Sequence, residues 1–351
     1  MAHTFKKYTE NNKGIIVLSH QEVDFILNNQ NVHNMVDQLK SKYFIGVHYG
    51  GFSQGVRTPP FCDFYMGLPS VIGNQGDVYN IPLASGNFTA KFFKPNPEAF
   101  KYWDIINVSR NGKVKNLNLF FKEVKKIYDL GYKYNILLVC ASREEETPQS
   151  HFLDIADVYY TMFSKEEREM FTLMRLGKDL DFKGLNKKQL SFFYQSSKIS
   201  TLFSEMEGFP GVVPESLLSG VPVVLWRHQR GSAKDFLDET NSILFDNFDE
   251  AHLSLIKAVE NYNIFNFNYD LINNNLREDF SLEKLKKYFN ILYNINHQEF
   301  DGHLINVDDL VSRLPAHLSD LPWANNRKFN GHITNLENFK IFFDQCLINK
   351  E

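Results

Sequence analysis

Cysteine is scarce in this sequence. The 351 residues include three cysteines, Cys62, Cys140 and Cys346, which lie far apart. An odd number of widely spaced thiols indicates neither a disulfide framework nor a paired-cysteine metal site, so we expect buried free thiols. The histidines show no spacing typical of metal ligands either. We therefore predict a protein that holds no metal.

Long apolar runs and an excess of basic residues are also missing. No segment approaches the roughly 18 consecutive apolar residues of a membrane-spanning helix, and no signal-peptide pattern begins the sequence. Lys and Arg total 38 against 42 Asp and Glu, which gives a net charge of −4, whereas a general nucleic-acid binder is normally basic. We expect a cytoplasmic protein, at most touching the inner membrane surface, for which nucleic acid is not a partner.

What the sequence does contain is one strand–loop–helix–strand pattern. Residues 199–203 are apolar and predict a short buried strand, and residues 205–211 predict a loop that contains glycine. Pro214 lies where proline is tolerated, in the first turn of a helix, and Gly220 ends that helix. Residues 221–226 predict a second buried strand. The loop and the helix start should therefore lie at the carboxyl edge of a sheet, where ligands bind.

Two carboxylates and four loop residues give this pattern its chemistry. Glu207 lies in the loop and Glu215 in the helix, with seven residues between them. The free backbone N–H groups at the helix start favour a phosphate group. The residues that lead into this start are Gly208, Phe209, Pro210 and Gly211. Two acids beside an anion site make electrostatic sense if they bind uncharged groups, such as the hydroxyls of a sugar or ribose. Otherwise both acids are simply solvated.

This run resembles the E-x7-E element of the retaining, GT-B-fold nucleotide-sugar glycosyltransferases, in particular glycosyltransferase family 4. The resemblance rests on Ser204-Glu-Met-Glu-Gly-Phe-Pro, on Glu215-Ser and on Gly220-Val-Pro-Val-Val224, whose spacings agree together. It implies an α/β protein with the GT-B fold, two Rossmann-like domains with a central cleft. It also implies that a hexose-type sugar passes from UDP or GDP to an acceptor hydroxyl with retention of configuration, and that neither a cofactor nor a metal takes part.

The same resemblance assigns roles to individual residues. Arg110 and Lys115 keep the five-residue spacing of the cations that hold the donor diphosphate in the family, where they would stabilise the leaving group. Glu207 would bind hydroxyls of the donor sugar and stabilise positive character at its anomeric carbon, and Glu215 would hold the ribose hydroxyls. The backbone of residues 208–211 would contribute to diphosphate binding.

The basic turn departs from the family pattern in two places. Ser109 and Asn116 stand where relatives commonly have glycine. A strand that opens at Trp103 leads into this turn, and a helix over residues 116–130 is predicted to follow it. If the family spacing is fortuitous, the turn is an ordinary solvated one.

Three further motifs have weaker functional interpretations. His48 ends a predicted strand, Tyr43 to His48, and either contacts the donor sugar, as a strand-end histidine does in the family, or merely satisfies a hydrogen bond. His20 is a rival for the same role. Asp179 and Asp181 form a D-x-D, the metal motif of the other large glycosyltransferase fold, which we discount because the other motifs imply metal-independent chemistry.

The order of predicted elements gives the domain organisation. Strands and helices alternate from residue 103 to residue 296, which indicates a parallel sheet covered by helices on both faces, and residues 151–175 are predicted to be mainly helical. We predict a short N-terminal acceptor-side domain at 1–98, a nucleotide-sugar-binding domain at 99–296, and a tail at 297–351 that packs back on the first domain or forms an oligomer surface.

Partners and rival functions follow from these assignments. We expect a UDP- or GDP-sugar as donor and a glycan or a lipid-linked molecule as acceptor. A homo-oligomer and a peripheral membrane contact are further hypotheses, the latter resting on Lys284, Lys286 and Lys287. The alternatives are a non-catalytic GT-B module that serves as a partner subunit, and a glycosyltransferase that acts on modified DNA bases.

Overall fold

The computed structural model describes residues 3–49, 59–73, 76–141, 155–177, 184–315, 333 and 335–348. The chain divides into two compact units. The first combines Met1–Thr89 with Asn274–Glu351, and the second is the continuous stretch Ala90–Asn273.

Strands and helices succeed one another along both units. The strands are β1 His3–Lys6, β2 Gly14–Ser19, β3 Tyr43–His48, β4 Phe64–Met66, β5 Tyr79–Ile81, β6 Trp103–Arg110, β7 Ile136–Ala141, β8 Phe171–Leu176, β9 Ser197–Leu202, β10 Val223–Trp226 and β11 Ser242–Phe245. The helices are α1 His20–Leu27, α2 His33–Lys42, α3 Pro69–Ile72, α4 Leu117–Asp129, α5 Ile155–Met162, α6 Lys165–Met170, α7 Lys187–Gln195, α8 Val212–Leu218, α9 Ala251–Glu260, α10 Tyr269–Leu276, α11 Glu278–Ile295, α12 Leu310–Arg313 and α13 Leu336–Leu347.

The first unit is built on the sheet β1-β2-β3-β4-β5, in which β1 runs antiparallel to β2 and the other pairs are parallel. Successive residues of β2 point to opposite faces, so each face receives its own apolar set. Ile15 and Val17 join a core with α11, whereas Ile16 and Leu18 join a core with α1, α2 and α13. Helices from both ends of the chain therefore cover this sheet.

The second unit is built on the parallel sheet β11-β10-β9-β6-β7-β8. Counted within the unit, this is the order 3-2-1-4-5-6 of the Rossmann fold, in which the chain direction across the sheet reverses between β6 and β9. Helices α4 and α9 fill one face, and α4 buries an apolar stripe against β6 and β9. The residues of that stripe are Phe120, Phe121, Val124 and Ile127. The predicted parallel sheet is present.

The unit boundaries differ from the predicted domains. The first falls at residue 89 and the second at residue 273, because α11 belongs to the first unit, where Leu285, Phe289 and Leu292 are buried in the core beneath β2 to β4. The first unit is therefore larger than residues 1–98 alone. The tail helix α13 belongs to the same unit, where Phe339 and Phe342 pack with α1 and α2.

One element was predicted wrongly. Residues 151–175 were expected to be mainly helical, but Phe171–Leu176 is strand β8, which pairs in parallel with β7 at the edge of the sheet. The two short helices before it match the expectation, and residues 151–154 lie outside the described residues. The strand exists because pairing with β7 overrides the local helical pattern.

Candidate functional site

Two segments that are distant in sequence meet at the switch point of the second sheet, the place between β6 and β9 where the strand order reverses. Strands β6 and β9 are adjacent and parallel, and Asn107 pairs with Thr201 near their carboxyl ends. The basic turn follows β6, and the loop that carries Glu207 follows β9. In such sheets the crevice beyond the carboxyl ends at the switch point is where ligands bind.

The basic turn is short and tightly held. Arg110 is exposed at the end of β6, and Lys115 closes a single 3-10 turn with only 9% of its surface exposed. Asn116 has a left-handed backbone (φ 49°), a conformation that asparagine tolerates better than most residues, so it can replace glycine here. Its side-chain Nδ2 donates to Phe203 O at 3.2 Å and to Glu205 Oε1 at 3.1 Å. These bonds tie the turn to the loop after β9.

Lys115 and Glu207 form an ion pair through Lys115 Nζ and Glu207 Oε1. Both residues are buried, with 9% and 7% of their surfaces exposed. Burial lowers the pKa of Lys115, and the Arg110 guanidinium lowers it further, while the Glu207 carboxylate opposes both effects. The structure thus brings the predicted diphosphate cation and the predicted sugar carboxylate into direct contact, with Arg110 close enough to Lys115 to act on its charge.

The backbone of the Glu207 loop is held by the segment after β10. Glu207 N donates to Arg230 O, and Arg230 N donates to Glu205 O, both at 2.9 Å. Ser232 donates to Gly208 O from its backbone N at 3.1 Å and from its Oγ at 2.8 Å. These bonds form a small bridge between the two loops, so the position of Glu207 depends on residues more than twenty places further along the chain.

Gly231 allows the two loops of this bridge to approach each other closely. Its backbone has φ 107°, and a Cβ at this position would lie 1.6 Å from the Glu207 carbonyl oxygen. Gln229 adds a buried support, since its Nε2 donates to Ser204 O at 2.9 Å. Neither Gly231 nor Gln229 was predicted from the sequence. A glycine within a polar run that follows a buried strand is the pattern that could have indicated them.

Glu215 lies apart from the ion pair, in the first turn of α8. Burial raises the pKa of its carboxyl to about 7, although Lys187 and the hydroxyl of Tyr194 both counteract this rise. Tyr194 OH donates to Glu215 Oε2 at 3.5 Å. Tyr194 comes from α7, so it is a further side chain at this position that the sequence analysis did not single out.

The four residues before α8 hold the helix start rather than forming an open loop. Gly211 O accepts from Glu215 N at 3.0 Å, and Pro210 O accepts from Val213 N at 3.2 Å. The ring of Phe209 is buried against the ring of Phe236, with their centroids 5.6 Å apart. The predicted donor contact of residues 208–211 stays a prediction, and it would use backbone atoms of Phe209 because its ring is buried.

His48 ends β3 in the first unit, as predicted. It is 3% exposed, and its Nε2 has no hydrogen-bond partner among the described residues. Burial, together with the nearby His20, lowers the pKa of His48 to about 3, so the ring is neutral. Both interpretations of His48, the hydrogen-bonded strand end and the contact with the donor sugar, remain predictions.

The D-x-D is not part of the described structure, because Asp179 and Asp181 lie outside the described residues. Within the described ranges, no three His, Cys, Asp or Glu side chains converge on a metal position, and no helix has the length and apolarity needed to cross a membrane. Metal-independent chemistry therefore stays a prediction.

A family model described as "Glycosyl transferases group 1" matches residues 88–275, more than half of the chain. The chain belongs to the group 1 glycosyl transferases. The match covers the whole switch-point site, from β6 to the helices after β11. No curated protein matches the chain.

Solved structures of other group 1 and related transferases share its fold. The pneumococcal O-GlcNAc transferase GtfA in complex with UDP and GlcNAc is 13% identical, with a TM-score of 0.52 over 75% of this chain and 55% of that one. Sucrose-phosphate synthase from Thermosynechococcus elongatus is 13% identical, with a TM-score of 0.56 over 79% and 73%. A glycosyltransferase from Rickettsia africae is 10% identical, with a TM-score of 0.55 over 79% of both chains.

These structures establish the GT-B fold, with two Rossmann-like domains, as predicted. The chain spans only 55% of the length of the pneumococcal transferase.

Proposed function

We propose that this group 1 glycosyl transferase moves a sugar from a nucleoside-diphosphate sugar to an acceptor hydroxyl, with retention at the anomeric carbon. One observation carries the proposal. A lysine and a glutamate meet at the switch point of a 3-2-1-4-5-6 sheet, where a nucleotide ligand is expected, and an exposed arginine lies close enough to act on the lysine's charge.

The cations act on the charge that develops as the glycosidic bond breaks. Cleavage leaves a nucleoside diphosphate with one more negative charge than in the donor. Lys115 and Arg110 stabilise this charge, and Lys115 does so from a buried position, where water screens the interaction least. Within the described residues, no carboxylate pairs with Arg110, so its guanidinium is available for a bidentate contact with phosphate oxygens.

The carboxylates bind uncharged parts of the donor. Glu207 accepts hydrogen bonds from hydroxyls of the sugar and stabilises positive character at the anomeric carbon. Glu215 accepts from the hydroxyls of the ribose, with Tyr194 holding its carboxyl.

Retention follows from the side of attack. The acceptor hydroxyl forms its bond to the anomeric carbon on the face that the diphosphate leaves, and a departing phosphate oxygen takes the hydroxyl proton. No side chain forms a covalent intermediate in this scheme, so Glu207 and Glu215 are not the nucleophile and acid of a glycosidase pair. We propose that no metal is needed, because Arg110 and Lys115 supply the positive charge.

The donor and acceptor are proposed by class. The pneumococcal structure contains UDP and GlcNAc, which makes UDP-sugars the first donors to test, with GDP-sugars second. Glycans and lipid-linked sugars are the acceptor classes to screen. A non-catalytic module would bind the nucleotide without transferring or hydrolysing the donor.

The decisive experiment measures thermal unfolding with a panel of UDP-, GDP-, ADP- and TDP-sugars. A donor that binds only the folded protein raises the melting temperature. We expect one nucleotide class to do so in the wild type and in Lys113→Ala, whose lysine is exposed in the same turn, but not in Lys115→Ala. If no donor shifts the wild type, the proposal is wrong.

A further inference from the structure

The Lys115–Glu207 ion pair joins two groups that the proposed function assigns to different parts of the donor. Lys115 serves the diphosphate and Glu207 serves the sugar. In the structure they neutralise each other, with 9% and 7% of their surfaces exposed. A diphosphate that enters this position must share the ammonium group with a carboxylate that also repels it.

The backbones that carry the two charged side chains are held in place. The Glu207 backbone N–H is bound to Arg230 O at 2.9 Å, and Gly231 lies directly against the Glu207 carbonyl. On the other side, Asn116 ties the lysine's own turn to the same loop. The loop and the turn therefore stay together, and a carboxylate that leaves Lys115 can do so only by rotation of its side chain, which separates a buried charge from its partner.

A donor that still carries its sugar resolves this conflict. Hydroxyls of the sugar donate hydrogen bonds to Glu207 and replace the bonds that Lys115 supplied, so Lys115 can turn to the diphosphate while the carboxylate remains satisfied. A free nucleoside diphosphate brings no such hydroxyls. It leaves a buried carboxylate with a weakened partner, which is unfavourable.

We propose that Glu207, as the internal counter-ion of Lys115, makes the site selective for nucleotides that carry a sugar over free nucleoside diphosphates. The inference rests on the proposed function and adds a property to it. Rejection of the free diphosphate favours release of the product after transfer.

The test compares dissociation constants of UDP and UDP-sugars, and of GDP and GDP-sugars, by calorimetry at pH 7. Glu207→Gln removes the charge and keeps the shape of the side chain. We expect this variant to bind the free diphosphate about tenfold more tightly, which corresponds to about one ion-pair interaction, and to bind the sugar nucleotide less tightly than the wild type. Its preference for the sugar-bearing form should be lost.

Glu205→Gln is the matched control. Glu205 is an exposed acid in the same loop, two residues away, and it does not contact Lys115; glutamine keeps a side-chain oxygen that can accept the hydrogen bond from Asn116. Its removal changes the loop charge equally, so its diphosphate affinity should stay within about twofold of the wild type. An equal gain in both variants would mean that the charge of the loop matters and the pair does not, and would overturn the inference.

A double variant tests whether the gain depends on Lys115. In Lys115→Gln with Glu207→Gln the gain should vanish, because no buried ammonium remains to be freed. If Glu207→Gln does not melt cooperatively, Glu207→Ser gives the same comparison with a smaller side chain. A wild type that binds both ligand forms, with no gain on removing the Glu207 charge, defeats this inference alone. A wild type that binds no nucleotide at all defeats the proposed function as well.

Discussion

At the scale of single residues, the two glutamates of the E-x7-E element have different surroundings in the folded chain. Glu207 pairs with a buried lysine, whereas Glu215 is enclosed beside a tyrosine hydroxyl. The motif spacing predicted that both belong to one site, but it could not show this difference. The partners come from the turn after β6 and from α7, and only the folded chain places them there.

The raised pKa of Glu215 predicts a pH-dependent stability. The carboxyl titrates at about 7 in the folded protein, above its ordinary value, so the folded state holds a proton that the unfolded state has released. The free energy of unfolding should therefore fall as the pH rises from about 4.5 to 7, by about 3 kcal/mol at most. In Glu215→Gln this fall should be absent. Urea unfolding of both proteins from pH 5 to pH 8 measures it, and parallel curves would contradict the prediction.

Arg110 should matter for binding and not for folding. It is exposed, and an exposed side chain without strong contacts changes stability by about 0.5 kcal/mol or less when it is removed. Arg110→Ala should weaken binding of the sugar nucleotide about ten- to hundredfold, because charged hydrogen bonds to the diphosphate are lost. Calorimetry measures the affinity and thermal melting the stability. Unchanged affinity would remove Arg110 from the site.

At the scale of elements, the Glu207 loop is one half of a two-loop bridge. Its other half, residues 229–232, contributes backbone atoms, a glycine and the side chains of Gln229 and Ser232, whereas the proposed ligand-binding side chains lie elsewhere. Such a segment leaves little trace in a residue pattern, which explains why this support was not predicted from the sequence.

Gly231→Ala should damage both folding and transfer. The new Cβ would collide with the Glu207 carbonyl, and the backbone at φ 107° is unfavourable for alanine. We expect a loss of more than about 2 kcal/mol in stability and a fall in the transfer rate of at least about tenfold. Gly131→Ala is the matched control, since its φ of 88° is also positive but no atom lies within 4 Å. It should cost about 1 kcal/mol and leave transfer unchanged. Equal effects of the two changes would show that strain alone is responsible.

Apolar patterns predicted the elements better than they predicted their partners. The buried runs of β3 and β9 and the helix α4 lie close to where the sequence places them. The predicted alternation of strands and helices up to residue 296 includes α11, but a stripe of apolar residues does not say which sheet a helix covers. The edge strand β8 was missed because pairing with β7 stabilises it more than its own residues do.

At the scale of the whole molecule, the first unit is discontinuous in sequence and the second is continuous. The core of the first unit includes Leu285, Phe289 and Leu292 from α11, together with Phe339 and Phe342 from α13. A chain cut after residue 273 therefore loses α11 from one face of the β1–β5 sheet and α13 from the other.

Truncation should separate the two units. In a protein ending at residue 273, we expect protease to digest residues 1–89 rapidly and to leave a resistant fragment close to 90–273, because only the latter keeps its complete core. Limited proteolysis with mass spectrometry measures this, and the full chain is the control. Equal resistance of both regions would contradict the assignment of α11 and α13.

The discontinuity also sets an order of events on the ribosome. Residues 90–273 emerge as one stretch with everything their core needs, so they can fold as soon as they are made. Strands β1 to β5 are translated before this stretch, but α11 and α13, which complete their cover, are translated after it. A region that is made earlier is thus buried later, and during that interval its apolar surface is open to binding by a chaperone.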